Sequence, residues 1–257
     1  MLDQIKIDDI IAIARKAGDG ILNIYNKNFS VNYKDDNSPL TEADLVSNSI
    51  ITASLENYGV PILSEEGKEI KFNERSKWNY YWCIDPIDGT KEFVKKNDEF
   101  TVNIALIHNN IPVLGVVFAP ALGDIYYAKQ DNGAYKNGRP ISNKTNNTSN
   151  TELKVAVSSS HLTDDTQKFI DKLSTQSQKI SLISKGSSLK LCMVAEGIAD
   201  IYPRLAPTME WDTAAADAIV RESGCMSYQL SNLNPLTYNK PDLHNPWFVV
   251  KNRFIQI

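Results

Sequence analysis

Apolar residues recur three and four apart from Ile7 through Ile10, Ile11, Ala14, Ala17, Ile21 and Leu22 to Tyr25, which predicts an amphipathic helix at the start of the chain. A polar connection over 32–40 separates it from a second helix over 41–58. The inward positions of that helix are Leu45, Ile50, Leu55 and Tyr58, and Gly59 is its stop. The pattern then shortens. Residues 60–63 read as a strand ending at Ser64-Glu-Glu66, and 80–84 as a buried strand running into Asp85-Pro-Ile-Asp-Gly-Thr90. Three further strands lie over 100–107, 113–118 and 125–129. A polar stretch at 143–151 reads as a linker, after which strand and helix alternate. Strands fall at 155–158, 180–183, 199–202 and 247–250, and helices at 164–173, 188–196 and 211–223. The first part, 1–150, is thus α+β and the second, 151–257, is α/β, the two forming one compact unit.

The 257 residues, 42% of them hydrophobic, suffice for a sizeable core and exclude general disorder. A formal net charge of −4, with no basic run beyond Lys95-Lys96, argues against a nucleic-acid partner. No apolar stretch reaches the ~20 residues of a membrane span. The acidic first residues are unlike a signal peptide. A cytoplasmic protein is expected, with peripheral attachment to the inner face of the membrane and oligomeric state left open. Cys83, Cys192 and Cys225 are odd in number, far apart and flanked by apolar residues, as buried free thiols would be.

Several chemistries are unsupported. The histidines, His108, His161 and His244, are scattered, and no GxxxxGK[ST], GxGxxG or GxSxG occurs. Carboxylates stand out instead. Glu65 and Glu66 end one strand, and Asp85 and Asp88 flank the turn that ends another. Acids gathered in that way repel one another unless cations neutralise them, and oxygen-only ligands select a hard ion such as Mg²⁺. Pro86 fixes the turn so that Asp85, the Ile87 carbonyl and Asp88 can converge. Gly89 allows close approach of a phosphate, and Thr90 offers a hydroxyl to orient water. Each feature has a plainer reading as well. Asp85-Pro and Asp88-Gly are ordinary turn chemistry, Thr41-x-x-Asp44 is a capping box, and Asp212 is a charge on a helix dipole.

Taken together, Leu63-Ser-Glu-Glu66, Asp85-Pro-Ile-Asp-Gly-Thr-Lys-Glu-Phe93 and Trp211-Asp-Thr-Ala-Ala-Ala216 resemble the motifs of the inositol monophosphatase superfamily of lithium-sensitive Mg²⁺ phosphatases. The DxDGT of haloacid dehalogenases does not fit, because Asp85 and Asp88 lie three apart. Lys91-Glu-Phe93, Gly186-Ser-Ser-Leu-Lys190, Tyr202-Pro-Arg204 and the segment Asn-Ser-Pro-Leu-Thr-Glu-Ala-Asp44 are similar to the bacterial 3′(2′),5′-bisphosphate nucleotidase branch. One departure is Gly224-Cys225, where the family usually has Gly-Gly or Gly-Ala.

The resemblance implies a layered αβαβα sandwich of the inositol monophosphatase and fructose-1,6-bisphosphatase type, with two or three Mg²⁺ per active site. It places Glu65, Asp85, the Ile87 carbonyl and Asp88 on a first ion, and Asp85, Asp88 and Asp212 on a second. Thr90, paired with Asp44, would position the attacking water, and Glu65 or Glu66 would help take its proton. Glu65, Ile87, Asp88, Gly89, Thr90 and Asp212 would surround the phosphate. His161, Ser187, Ser188, Lys190 and Arg204 would meet the nucleotide and its 5′-phosphate. Lys190 and Arg204 read equally as surface charges, and His161 as a loop residue. The implied reaction converts adenosine 3′,5′-bisphosphate to AMP and phosphate in sulfur assimilation, with 3′-phosphoadenylyl sulfate as a further substrate. The rival readings are a phosphatase of inositol or sugar phosphates and a non-catalytic regulator that binds Mg²⁺ and nucleotide.

Overall fold

The opening periodicity becomes α1 (Ile7–Tyr25), which buries Ile10, Ala14, Ala17, Gly18, Ile21 and Tyr25 along one stripe. The computed structural model describes residues 1–27, 29–33, 39–143, 152–158, 163–174 and 179–255. The polar connection after α1 carries two short antiparallel strands, β1 (Val31–Tyr33) and β2 (Pro39–Thr41). Next comes α2 (Glu42–Leu55), continued by a 3₁₀ turn, Glu56–Tyr58. The expected inward face holds at Leu55, which is fully buried, and at Ile50 and Tyr58, which pack against the core, but is corrected at Leu45. Leu45 is 52% exposed, and the face that packs is Ala43, Asp44, Ser47, Ile51 and Leu55. Burying Asp44 and Ser47 turns Leu45 outward, because a polar stripe of α2 faces the site and not only the core.

A seven-stranded sheet follows in sequence order. It comprises β3 (Ile62–Ser64), β4 (Tyr80–Asp88), β5 (Thr101–His108), β6 (Ile111–Ala119), β7 (Asp124–Lys129), β8 (Ala134–Lys136) and β9 (Arg139–Ile141). Within it β3 and β4 pair in parallel, and the remaining pairs form an antiparallel meander. Between β3 and β5 lie the short helices α3 (Phe72–Arg75) and α4 (Thr90–Val94).

The second sheet has the order β11-β10-β12-β14-β13, from β10 (Glu152–Ser158), β11 (Lys179–Lys185), β12 (Ile201–Arg204), β13 (Cys225–Gln229) and β14 (Phe248–Asn252). Its helices are α5 (Asp164–Ser174), α6 (Leu189–Glu196) and α7 (Glu210–Glu222). Of the polar stretch expected as a linker at 143–151, residues 144–151 lie outside the described residues, and Asn143 is buried.

Strand alternation sorts the core into layers. Trp82 and Ile84 of β4, Val102, Ile104 and Leu106 of β5, and Leu114, Val116 and Phe118 of β6 face α1 and α2. Tyr81, Cys83, Ala105, Ile107, Val117 and Ala119 face the other way, onto α6, α7 and the second sheet. Leu153, Val155, Val157, Ile201 and Val249 then pack on Ile170 and Leu173 of α5. The layers therefore run α1/α2, sheet, α6/α7, sheet, α5, the αβαβα sandwich that the resemblance implies. The middle helix layer lies close to the first sheet, because Gly115 of β6 sits beneath Ala215 and Ala218 of α7. A Cβ on Gly115 would stand 2.1 Å from the Ala215 carbonyl oxygen. No helix among the described residues is long and apolar enough to cross a membrane. All three cysteines are buried and free.

Candidate active site

The site is built around a break in the β4–β5 ladder. Asp85 pairs with Asn103 and Asp88 with Thr101, so β4 holds an extra residue between them. Pro86 has no N–H to give the ladder, and a bulge is the usual solution. The Ile87 N–H turns back onto Asp85 Oδ1 at 3.0 Å, and Ser47 of α2 donates to the Pro86 carbonyl at 2.8 Å. The strand therefore continues to Asp88, further than the sequence pattern indicated. The bulge re-aims both aspartates toward the gap between the two sheets.

Three carboxylates meet there. One oxygen each of Asp85, Asp88 and Asp212 lies within 4.8 Å of the others, and Asp85 is only 1% exposed. Asp212 arrives on the first turn of α7, where it also accepts the Met209 N–H at 2.9 Å. Its plainer reading as a helix-end charge is met by that bond, and its carboxylate also stands in the group that could hold a metal ion. Parallel pairing of β3 with β4 aligns Ser64 with Ile84, and the Glu65 N–H donates to the Ile84 carbonyl at 3.2 Å. That bond sets the Glu65 carboxylate beside Asp85, where its charge and a side-chain hydrogen bond add to the effect of burial on the Asp85 pKa. Glu65, expected on the first ion, lies outside the three-carboxylate group, as does Glu66, expected only to help take the water's proton. Glu66 is half-buried, and its N–H donates to Ser64 Oγ at 3.3 Å.

Asp44 and Thr90 come together as expected. Asp44 Oδ2 takes both the N–H and the hydroxyl of Thr41, at 2.8 and 2.7 Å, so the capping box is real. That leaves Oδ1 for Thr90, whose hydroxyl stands 3.2 Å from it and 3.2 Å from the Ile87 carbonyl. Gly89 precedes Thr90 with φ +90°, a conformation that an L side chain rarely adopts.

The second half contributes the turn between β11 and α6. The Ser188 N–H donates to Asp88 Oδ2 at 2.5 Å, and Ser188 Oγ contacts Asn103 Oδ1 at 2.8 Å and Thr101 Oγ1 at 2.9 Å. Beside the carboxylates opens a cavity of about 120 Å³, whose lining includes Asp88, Ser187, Lys190, Tyr202, Arg204 and Asp212. Lys190 is 4% exposed, its Nζ donates to the Ser187 carbonyl at 2.6 Å, and it lies over the Tyr202 ring. Its reading as a surface charge is therefore overturned. Arg204 donates to the Pro207 carbonyl through one terminal nitrogen. Its Nε and the Ser187 hydroxyl are buried without hydrogen-bond partners among the described residues. Unpaired buried polar atoms on a cavity wall are poised for a ligand. His161 lies outside the described residues.

Sequence reasoning missed some of this. Of Lys91-Glu92-Phe93, Glu92 is the residue that lines the cavity; Lys91 is exposed and Phe93 packs against Tyr25, Phe29 and Phe100. Thr101 and Asn103, fully buried, were signalled by polar residues in an otherwise apolar strand.

Electrostatics follow from burial. Desolvation pushes Asp85 well above the usual carboxylate range, and repulsion from Glu65, Asp88 and Asp212 adds to it. Burial raises Asp88 to about 6, with Lys190 and the Ser188 N–H pulling the other way, and Asp212 rises to about 8 through burial and Asp88. Burial lowers Lys190 to about 8. Three oxygen donors that resist sharing negative charge fit a hard divalent cation, which would relieve both burial and repulsion. A pH dependence follows. The folded site favours neutral Asp88 and Asp212, so their contribution to stability is fully present below about pH 4. It is lost as pH rises through their folded values of about 6 and 8. Melting temperatures with Mg²⁺ and with EDTA should therefore differ more at about pH 8 than at about pH 5, as calorimetry would read.

Comparison with known proteins agrees with this geometry. The sequence matches the inositol monophosphatase family over residues 3–251. The 3′(2′),5′-bisphosphate nucleotidase CysQ of Buchnera aphidicola is 45% identical over 224 residues, 85% of this chain and 82% of that protein. That of Escherichia coli K12 is 39% identical over 252 residues, 95% of this chain and 98% of its own. The crystal structure of CysQ from Bacteroides thetaiotaomicron superposes with a TM-score of 0.85 at 43% identity, covering 96% of this chain and 97% of that one. With this family match along nearly its whole length and the same sandwich, the chain belongs to the inositol monophosphatase family.

Proposed function

We propose that the protein is a Mg²⁺-dependent phosphatase that removes the 3′-phosphate of adenosine 3′,5′-bisphosphate, giving AMP and phosphate in the sulfur assimilation of the cytoplasm. The observation that carries the reading is the adjacency of two unlike sites. The Asp85–Asp88–Asp212 group opens onto a cavity walled by Lys190 and Arg204. A bisphosphate needs both, because one phosphate is cleaved while the other must be held by cations. The names of the relatives point the same way.

Glu65, Asp85, the Ile87 carbonyl and Asp88 would hold one Mg²⁺, and Asp85, Asp88 and Asp212 a second. Bound there, the ions supply charge neutralisation at the phosphate and acidify water. The chain does the rest. The Thr90 hydroxyl donates a hydrogen bond to Asp44, which leaves the Thr90 lone pairs to orient a water. Glu65, which lies beside Asp85, or Glu66 helps accept the water's proton. Ser187, Ser188, Lys190 and Arg204 hold the nucleotide, aided by the first turn of α6.

The test is phosphate release from adenosine 3′,5′-bisphosphate, with Mg²⁺ and with EDTA, beside inositol 1-phosphate. Release from the nucleotide in Mg²⁺ should exceed that from the inositol ester in kcat/KM by at least about tenfold, and EDTA should abolish it. Preference for the inositol ester would keep the acid cluster and overturn the role given to Lys190 and Arg204. Nucleotide binding without turnover would leave a regulator.

A further inference from the structure

The turn that carries Ser188 to Asp88 belongs to the second sheet, whereas Asp88 belongs to the first, and one side chain spans the seam. Glu99, just before β5, accepts the Gly186 N–H on Oε2 at 2.7 Å and pairs with Lys185 Nζ through Oε1 at 3.0 Å. Its own N–H is held by Asn97 Oδ1 at 3.1 Å. Its backbone passes between two glycines of the site. A Cβ on Gly186 would stand 2.8 Å from the Glu99 carbonyl oxygen, and one on Gly89 3.3 Å from it. Ser187, next in the turn, has φ +46°, a strained value for a residue other than glycine, so the turn must be held from outside.

We propose that Glu99 is a positioning residue: its carboxylate holds the Gly186–Ser188 turn against the Asp88–Gly89 corner and so sets where the nucleotide side of the cavity stands relative to the acid cluster. A charge-assisted acceptor is the strong kind of hydrogen bond, and here it grips a backbone N–H immediately before the strained residue. The Ser188 hydroxyl, shared between Thr101 and Asn103, is the second point of attachment. With Glu99 removed, that second point still keeps α6 on the sheet. What loosens is the Ser187 end of the turn, which faces the cavity.

The choice of nucleotide as probe rests on the function proposed above, so the test has one arm that does not. Glu99→Ala should lower kcat/KM for adenosine 3′,5′-bisphosphate about tenfold, mainly through KM. It should leave a small ester that reaches only the metals, p-nitrophenyl phosphate, within about threefold. Glu99→Gln keeps the acceptor for Gly186 and should recover most of the loss. The second arm is amide hydrogen exchange without substrate, where Glu99→Ala should speed exchange at 186–190 and not in α1. Equal losses on the two esters, or unchanged exchange at 186–190, overturn the proposal. A wild-type protein that releases no phosphate from the nucleotide overturns the functional reading instead, and the exchange arm still decides Glu99.

Discussion

Replacing Asp88 with Asn lowers kcat by about 10⁴-fold, roughly 5 kcal/mol of transition-state stabilisation, while the protein stays folded. The reasoning is electrostatic. Asp88 is one of three carboxylates within 4.8 Å and the one that both sheets touch, through the β4 bulge and through the Ser188 N–H. An amide oxygen can still accept that N–H, so the turn is retained. It cannot supply the negative charge that binds a hard cation. Because burial pushes the Asp88 pKa up to about 6, the neutral amide costs the metal-free fold nothing at about pH 8 and relieves repulsion with Asp212. Phosphate release measured beside a melting curve in EDTA separates the two effects. Loss of activity with an unchanged or raised melting temperature is expected, and a variant with near-normal turnover would overturn the metal assignment.

Gly115→Ala is the largest expected loss of stability, about 3 kcal/mol, at the top of the usual overpacking range. That corresponds to a fall in Tm of about 6–12 °C for a chain of this size. The added methyl would meet the Ala215 carbonyl at 2.1 Å and the Ala218 Cβ at 2.8 Å, and a backbone oxygen inside a helix cannot step aside. The helix must lift from the sheet, carrying Asp212 with it. Gly123→Ala is the control. It has φ +72° with nothing within 4 Å of its Cβ, so only the conformational strain of about 1 kcal/mol remains. If the two variants melt alike, close contact between α7 and β6 is not what fixes the height of that helix.

Much of the candidate site was legible because its carboxylates and neighbouring polar groups cluster in short motifs. Asp85, Ile87, Asp88 and Thr90 lie in one short run, and Asp212 is marked by the Trp-Asp-Thr-Ala-Ala-Ala sequence. Other features were not legible. Leu45 satisfies a helical hydrophobic pattern yet is exposed, because Asp44 and Ser47 claim the inward face. Lys190 reads both as a nucleotide contact and as a surface lysine, and only the approach of Tyr202 and Ser187 shows it buried. Strands β8, β9 and β13 are short or half-exposed, and their signal is too weak to separate from turns.

What the sequence determined by itself is local: the longer helices and strands in their order, the oxygen-only donor set, and the turn at Pro86 between two aspartates, which strand pairing makes a bulge within a continuing strand. These depend on side-chain period, donor chemistry and a missing N–H, all properties of neighbouring residues. What only the tertiary structure decided is distance. Asp212 lies far along the chain from Asp88, and it reaches Asp88 because Gly115, Ala215 and Ala218 let α7 settle on the sheet. Likewise Glu99 meets Gly186 across two sheets whose strand patterns carry no mark of each other. Period and propensity act along the chain, whereas the closeness of packed layers depends on which small residues face each other across them.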